Sequence, residues 1–292
     1  MIIGRFVAAA AAAAFALSAA SLAPAQAPAS APRAATAAKP FAPTRFSVEV
    51  VGSGPDVILI PGLTASREVW RGTVNAVPGY RYHLVQVAGF AGTPVRGNAS
   101  GEVIAPLAAE IARYIRAKGL QRPAIVGHSM GGTVATMIAS RHPAQAGKVM
   151  VIDMLPQPAG LVGSSPERAR GLAGALRNLG GSESGRRLIS SAIRMFGNAE
   201  AEDSESDPDL VARATHELAL LDLTPELAKI AVPLTVVFAA PDEARAAQAD
   251  RTYAAAYARA RGARLVRVDR SGHMIMYEQP TRFRAALKEF LR

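Results

Sequence analysis

The sequence predicts a mostly parallel, doubly wound α/β sheet with a set of helices inserted late in the chain. Three observations lead there. Short, almost continuous apolar runs recur, and most are followed by segments with helical spacing, as in a parallel sheet buried on both faces. One of these runs passes directly through Gly127-His128-Ser129-Met130-Gly131 into a helix-like segment. Between "VMVID" (149–153) and "VPLTVVF" (232–238) lie about eighty residues, too many for a simple crossover between neighbouring strands.

The first segment stands outside that fold. "MIIGRFVAAAAAAAFALSAASLAPAQA" (1–27) has one basic residue, Arg5, then an apolar run from Phe6 to Leu17, then Ala25-Gln26-Ala27. This is the three-part plan of a secretory signal peptide, with cleavage expected near Ala27 and a periplasmic or secreted destination. The run is too short to span a bilayer stably, so no membrane span is expected. Residues 28–44 are rich in alanine and proline and predict an extended linker. The folded domain is expected over 45–292.

Within it, "FSVEVVG" (46–52) alternates, as an edge strand with one wet face does. "VILI" (57–60), "HLVQV" (83–87), "AIV" (124–126), "KVMVI" (148–152), "LTVVF" (234–238) and "RLVRV" (264–268) supply further strands. "IAPLAAEIARYIRAKG" (104–119) places Ile104, Leu107, Ala108, Ile111 and Ile115 on one helical face, with Gly119 as its stop. "PTRFRAALKEFL" (280–291) is an amphipathic helix opened by a proline. The inserted helices form a cap over roughly 155–222. Inside it "EAEDSESDPD" (200–209) carries six acids in ten residues, without the glycine and spacing of a calcium loop, and predicts a solvated, mobile loop.

Composition narrows the chemistry. The chain has 292 residues, half of them apolar, enough for one large core. It has no cysteine, which excludes disulfides, thiolate metal sites and a cysteine nucleophile. The formal charge is +10, but the arginines are spread along the chain with no basic run interleaved with aromatics, so no nucleic-acid partner is expected. Clustered-histidine and His-Glu-x-x-His patterns are absent, and no metal or organic cofactor is expected.

The order strand, Gly-x-Ser-x-Gly, helix has a physical purpose. It holds a serine on a strained turn, with small neighbours so that strand and helix can pack closely. The hydroxyl then stands clear of the sheet, and the following N–H sits at a helix N-terminus, where negative charge is stabilised. From about Phe46 to Arg292 the chain resembles the α/β-hydrolase family. "IPGLTASREVW" (60–70) is similar to its oxyanion loop, with Pro61-Gly62 where the family usually has His-Gly. "VAGFAGTP" (87–94) resembles the glycine turn after the next strand, and "SGHMIMYEQPTRFRAALKEFL" (271–291) the histidine turn and last helix. The resemblance implies about eight strands, with the cap inserted after the sixth.

It also implies a Ser–acid–His order. Ser129 is the nucleophile and His273 the base. Asp242, just past "LTVVF", is the favoured acid, with Asp153 at the end of "VMVID" as its rival. The backbone N–H groups of Leu63 and Met130 form the oxyanion hole. His128, beside the nucleophile, is expected to point away from the cleft. Met154, Met195, Phe196 and Met274 are candidates to line the substrate pocket. The implied activity is hydrolysis of small carboxylic esters through an acyl-enzyme. Lactonase, C–C bond hydrolase, cofactor-free perhydrolase and proline-releasing aminopeptidase chemistry remain open on the same residues, as does a catalytically inactive binding module. The oligomeric state is left open.

Overall fold

The computed structural model describes residues 41–159 and 205–292. Seven strands lie in one sheet among the described residues: β1 (Phe46–Val51), β2 (Asp56–Ile60), β3 (Arg81–Val87), β4 (Ala124–His128), β5 (Lys148–Ile152), β6 (Leu234–Ala240) and β7 (Arg264–Asp269). Their order is β1-β3-β2-β4-β5-β6-β7. Strand β1 runs antiparallel to β3, and every other pairing is parallel. Each of the seven strands coincides with an apolar or alternating run read from the sequence. The insertion follows β5, the "KVMVI" run after which the sequence placed it, which is the fifth strand among the described residues.

Helices α1 (Arg71–Ala76), α2 (Ile104–Ala117), α3 (Met130–Arg141), α4 (Pro208–Leu220), α5 (Glu243–Ala256), α6 (Ile275–Glu278) and α7 (Pro280–Leu291) account for the longer connections. Gly119, at φ 65°, ends the α2 region in the left-handed conformation that favours glycine. The two-residue period of a strand divides the core. On β2, Ile58 and Ile60 join Ile111 of α2 and Val134 of α3 on one face. Val57 and Leu59 join Trp70, Phe283 and Phe290 on the other, beneath α1 and α7. At the start of the domain, the Glu110 carboxylate on α2 accepts from Thr44 N (3.0 Å) and Arg45 N (2.8 Å), which ties down the entry to β1.

The described end of the insertion is firmly seated. Gly92 N donates to Glu205 O (3.0 Å), Asp207 N to Gly89 O (2.8 Å), and Ala91 N to Ser206 Oγ (3.0 Å). Asp207 caps α4 through Leu210 N at 2.8 Å. Glu217 on α4 accepts from Val103 N (2.7 Å) and Ile104 N (2.9 Å) at the start of α2. Burial raises the Glu217 carboxyl above its ordinary value, against the pull of those two N–H groups. The mobile loop expected over 200–209 is thus corrected for 205–209: these residues pair with the 89–92 turn and open a helix. Residues 200–204 lie outside the described residues, as does most of the cap expected over 155–222.

Candidate active site

Ser129 sits between β4 and α3 with φ 53° and ψ −124°, a conformation that L-residues rarely adopt. The flanking glycines are a packing necessity. A Cβ on Gly127 would lie 2.0 Å from Gly131 O, and one on Gly131 would lie 2.3 Å from Ile60 O. Any side chain at either position would force helix and strand apart. Met130, fully buried, opens α3. Its N–H belongs to the first turn, where the helix itself supplies no acceptor.

The Pro61-Gly62 loop lies against this turn. A Cβ on Gly62 would lie 3.1 Å from His128 Nδ1 and 3.2 Å from Ser129 Cβ. Leu63 follows, half-buried against the core, and Thr64 holds φ 62°. Thr64, Ala91, Ser129, Asp153 and Arg270 all have positive φ without being glycine. Each lies just beyond the C-terminal end of a strand, the side on which parallel α/β sheets carry their ligands. Backbone strain concentrated there indicates that the loops are held in place by their surroundings.

His273 Nδ1 is 2.7 Å from Asp153 Oδ2. Asp153 follows β5 and is buried. Its other oxygen, Oδ1, accepts from Ala239 N (2.9 Å) and Tyr253 Oη (3.0 Å). The carboxylate is thereby oriented from one side and presented to the imidazole from the other. Of the two acids named from the sequence, the structure brings Asp153 to His273 and engages Asp242 at a helix start. Asp242 is the N-cap of α5: its Oδ1 accepts from Arg245 N at 2.9 Å, and its Oδ2 lies 3.5 Å from Arg245 Nε. The Asp242 carboxylate is thus committed to the start of its own helix.

His128 is buried. Its ring packs on His273, centroids 4.6 Å apart, and Nε2 lies 3.0 Å from the His273 carbonyl oxygen. Burial, and then the neighbouring His273, push its pKa down to about 3, against the pull of that hydrogen bond. The ring is neutral at any ordinary pH.

Residues 57–286 match the model of the Alpha/beta hydrolase family. The chain belongs to that family. Among curated relatives, the pimeloyl-[acyl-carrier protein] methyl ester esterase of Aeromonas hydrophila is 35% identical over 112 residues, covering 38% of this chain and 42% of the relative. The matched part thus spans well under half the length of that protein. Among solved structures, the enol-lactonase from Burkholderia xenovorans LB400 aligns with TM-score 0.66 and 21% identity, over 85% of this chain and 96% of its own. A thermophilic esterase from Thermogutta terrifontis aligns with TM-score 0.64 and 22% identity, over 85% and 93%. At these identities the structures share the hydrolase fold.

The support around this hydrolase's Asp153 was not foreseen. Tyr253 and Tyr257 stand one turn apart on and just after α5, with parallel rings 6.4 Å apart. Tyr253 stacks on Phe238 at 4.3 Å, and Tyr257 Oη donates to Met154 O at 2.7 Å. Burial and the Asp153 charge raise both phenols, so both remain donors. The legible signal was "TYAAAY" (252–257), two aromatic residues at helical spacing in a segment otherwise poor in large apolar side chains. Glu278 was also missed: its carboxylate accepts from Gly272 N (2.6 Å) and Met274 N (3.0 Å), on either side of His273.

Of the pocket candidates, Met154 is a core residue at 2% exposure, its carbonyl held by Tyr257. Met274 is half-buried against the cluster that includes Ile275 and Phe283. Met195 and Phe196 lie outside the described residues. Among the described residues no group of three or more His, Asp or Glu side chains converges as a metal site would.

Proposed function

We propose that this alpha/beta hydrolase cleaves small carboxylic esters with Ser129 as nucleophile, His273 as base and Asp153 as the acid that orients it. The observation that carries the reading is the 2.7 Å contact from Asp153 to His273 Nδ1, together with Ser129 held on a strained strand-to-helix turn at the end of β4. With Nδ1–H bonded to the carboxylate, Nε2 is the basic nitrogen. It removes the Ser129 proton as Oγ attacks the ester carbonyl carbon. The oxygen that gains the electron pair is met by the N–H groups of Met130 and Leu63. The tetrahedral adduct collapses, the C–O bond to the alcohol breaks, and His273 returns its proton to the leaving alkoxide. Water then repeats the sequence on the acyl-enzyme. Loss of one oxyanion donor costs ~3 kcal/mol in reactions of this type.

Lactones are the second class of substrate. A lactone is a cyclic ester and passes through the same steps, and both an esterase and an enol-lactonase share the fold. Residues 1–27 are proposed to direct export, so that mature protein isolated from its native cell should begin near Pro28; an intact Met1 terminus would refute this. The chemistry is tested by a profile over p-nitrophenyl esters of rising chain length, with lactones and amino-acid amides alongside. Labelling by a serine-reactive phosphonate should occur at Ser129 and vanish in Ser129→Ala. A Ser129→Ala protein that keeps more than a few per cent of wild-type turnover, or a wild-type protein that stays unlabelled, sinks the reading.

A further inference from the structure

His128 has no part in the proton transfers proposed above, yet it is a polar ring buried to 3% exposure. A buried polar group needs a partner to offset its lost hydration. Its Nε2 has one, the His273 carbonyl oxygen at 3.0 Å. A carbonyl only accepts, so Nε2 carries the proton. In a neutral ring Nδ1 is then a bare acceptor. That atom is buried without a hydrogen-bond partner and faces the position of Gly62. Half of the ring's hydrogen-bonding capacity is unused, and the other half is directed at the main chain of the base.

The contact joins two places that must stay in register. Glu278 pins the N–H groups of Gly272 and Met274, on either side of His273, from an exposed position on the same local stretch of chain. The bond from His128 comes from across the sheet, from the residue bonded directly to Ser129. It closes a short loop, Ser129 to His128 to the His273 main chain, between the two reacting side chains. The tilted packing of the rings, 47° between planes, fills the same space.

We infer that His128 is a positioning residue: its Nε2–H holds the His273 main chain against the strand that carries Ser129, and so sets the approach of base to nucleophile. The inference rests on Ser129 and His273 being nucleophile and base. It requires a donor at this position, and a ring of the same shape without one is not enough.

The test compares His128→Phe, which keeps a ring and removes the donor, with His128→Gln, which restores an N–H near the Nε2 position. Three quantities are read: kcat and KM on the ester that wild type hydrolyses best, the rate of phosphonate labelling at Ser129, and the proton NMR resonance of His273 Nδ1–H against Asp153. A displacement of the base of well under 1 Å should make His128→Phe about tenfold to a hundredfold slower in kcat and in labelling, with KM within about twofold. Its Nδ1–H resonance should shift or broaden. His128→Gln should recover most of both. The inference is overturned if His128→Phe matches wild type in rate and resonance, or if a folded His128→Gln falls as far as His128→Phe. If His128→Phe does not fold, His128→Gln decides: a loss of more than about a hundredfold overturns the inference. If wild type neither hydrolyses esters nor labels, while the resonance shifts or broadens in His128→Phe and returns in His128→Gln, the catalytic reading fails, the inference falls with it, and only the structural tie from His128 to the His273 main chain remains.

Discussion

Asp153→Asn is the sharpest test of the candidate site, because the structure dictates which way the new amide must turn. In the wild type, Oδ1 accepts from Ala239 N and Tyr253 Oη, and Oδ2 faces His273 Nδ1. An amide has one acceptor oxygen and one donor nitrogen. Placing the NH2 at the Oδ1 position would aim donors at two donors, so the oxygen must stay there. The NH2 group then faces Nδ1, which can meet it only as an acceptor. The imidazole proton moves to Nε2, and the nitrogen beside the nucleophile can no longer take a proton. The backbone gives no competing cause, since asparagine accepts the φ of 47° at this position at least as well as aspartate. The same substitution in the serine-protease example costs ~10⁴ in turnover, or ~5 kcal/mol of transition-state stabilisation. Asp242→Asn is the control. Asparagine caps a helix as well as aspartate does, so turnover and stability should stay within about twofold and about 0.5 kcal/mol of wild type. The assay is initial rate on the best p-nitrophenyl ester at saturating substrate, with thermal melts of both variants. An Asp153→Asn protein within tenfold of wild type, or an Asp242→Asn protein that is the more damaged of the two, refutes the reasoning.

Tyr253→Phe removes one of the two donors that orient Asp153 while leaving the stacked ring in place; kcat should fall about threefold to tenfold with KM unchanged, as befits one hydrogen bond of ~1 kcal/mol, and equal rates would show that Ala239 N suffices. Gly127→Ala would bring its Cβ to 2.0 Å from Gly131 O, so it should destabilise the fold by ~3 kcal/mol or more in denaturant melts, and a near-wild-type midpoint would mean that strand and helix can part cheaply. For pH, the His128 pKa falls from the ordinary 6.5 in the unfolded chain to about 3 in the fold. Between those values the unfolded chain binds the extra proton, so His128 contributes stability fully above pH 6.5 and loses it as pH falls toward 3, by ~5 kcal/mol in all. Subtracting the stability–pH curve of His128→Gln from that of wild type should expose this fall, and parallel curves would show that His128 is not buried as a neutral ring.

The strands, helices α2, α3 and α7, and the serine turn were legible in the sequence because their causes are local. A strand buried on both faces must be almost continuously apolar, hence "VILI" and "KVMVI". A serine turn between strand and helix must exclude Cβ atoms, hence the glycines of "GHSMG". The histidine turn was legible through the helix that follows it. Which carboxylate meets His273 was not. Asp153 and Asp242 both follow an apolar run, both precede the histidine, and nothing within a few residues of either distinguishes them. What decides between them is long-range. The parallel register of β5 and β6 puts Asp153 beside Ala239 N, and α5 folds back to set Tyr253 against it, while Asp242 is drawn into the helix start one residue ahead of Glu243. The same holds for His128. Its place beside Ser129 is written in the chain, but its bond to a carbonyl 145 residues away exists only because the loop after β7 reaches back past β5 and β6 to the end of β4. Local chemistry names the groups that can react; which of them meet is set by strand order and register, which no short stretch of sequence contains.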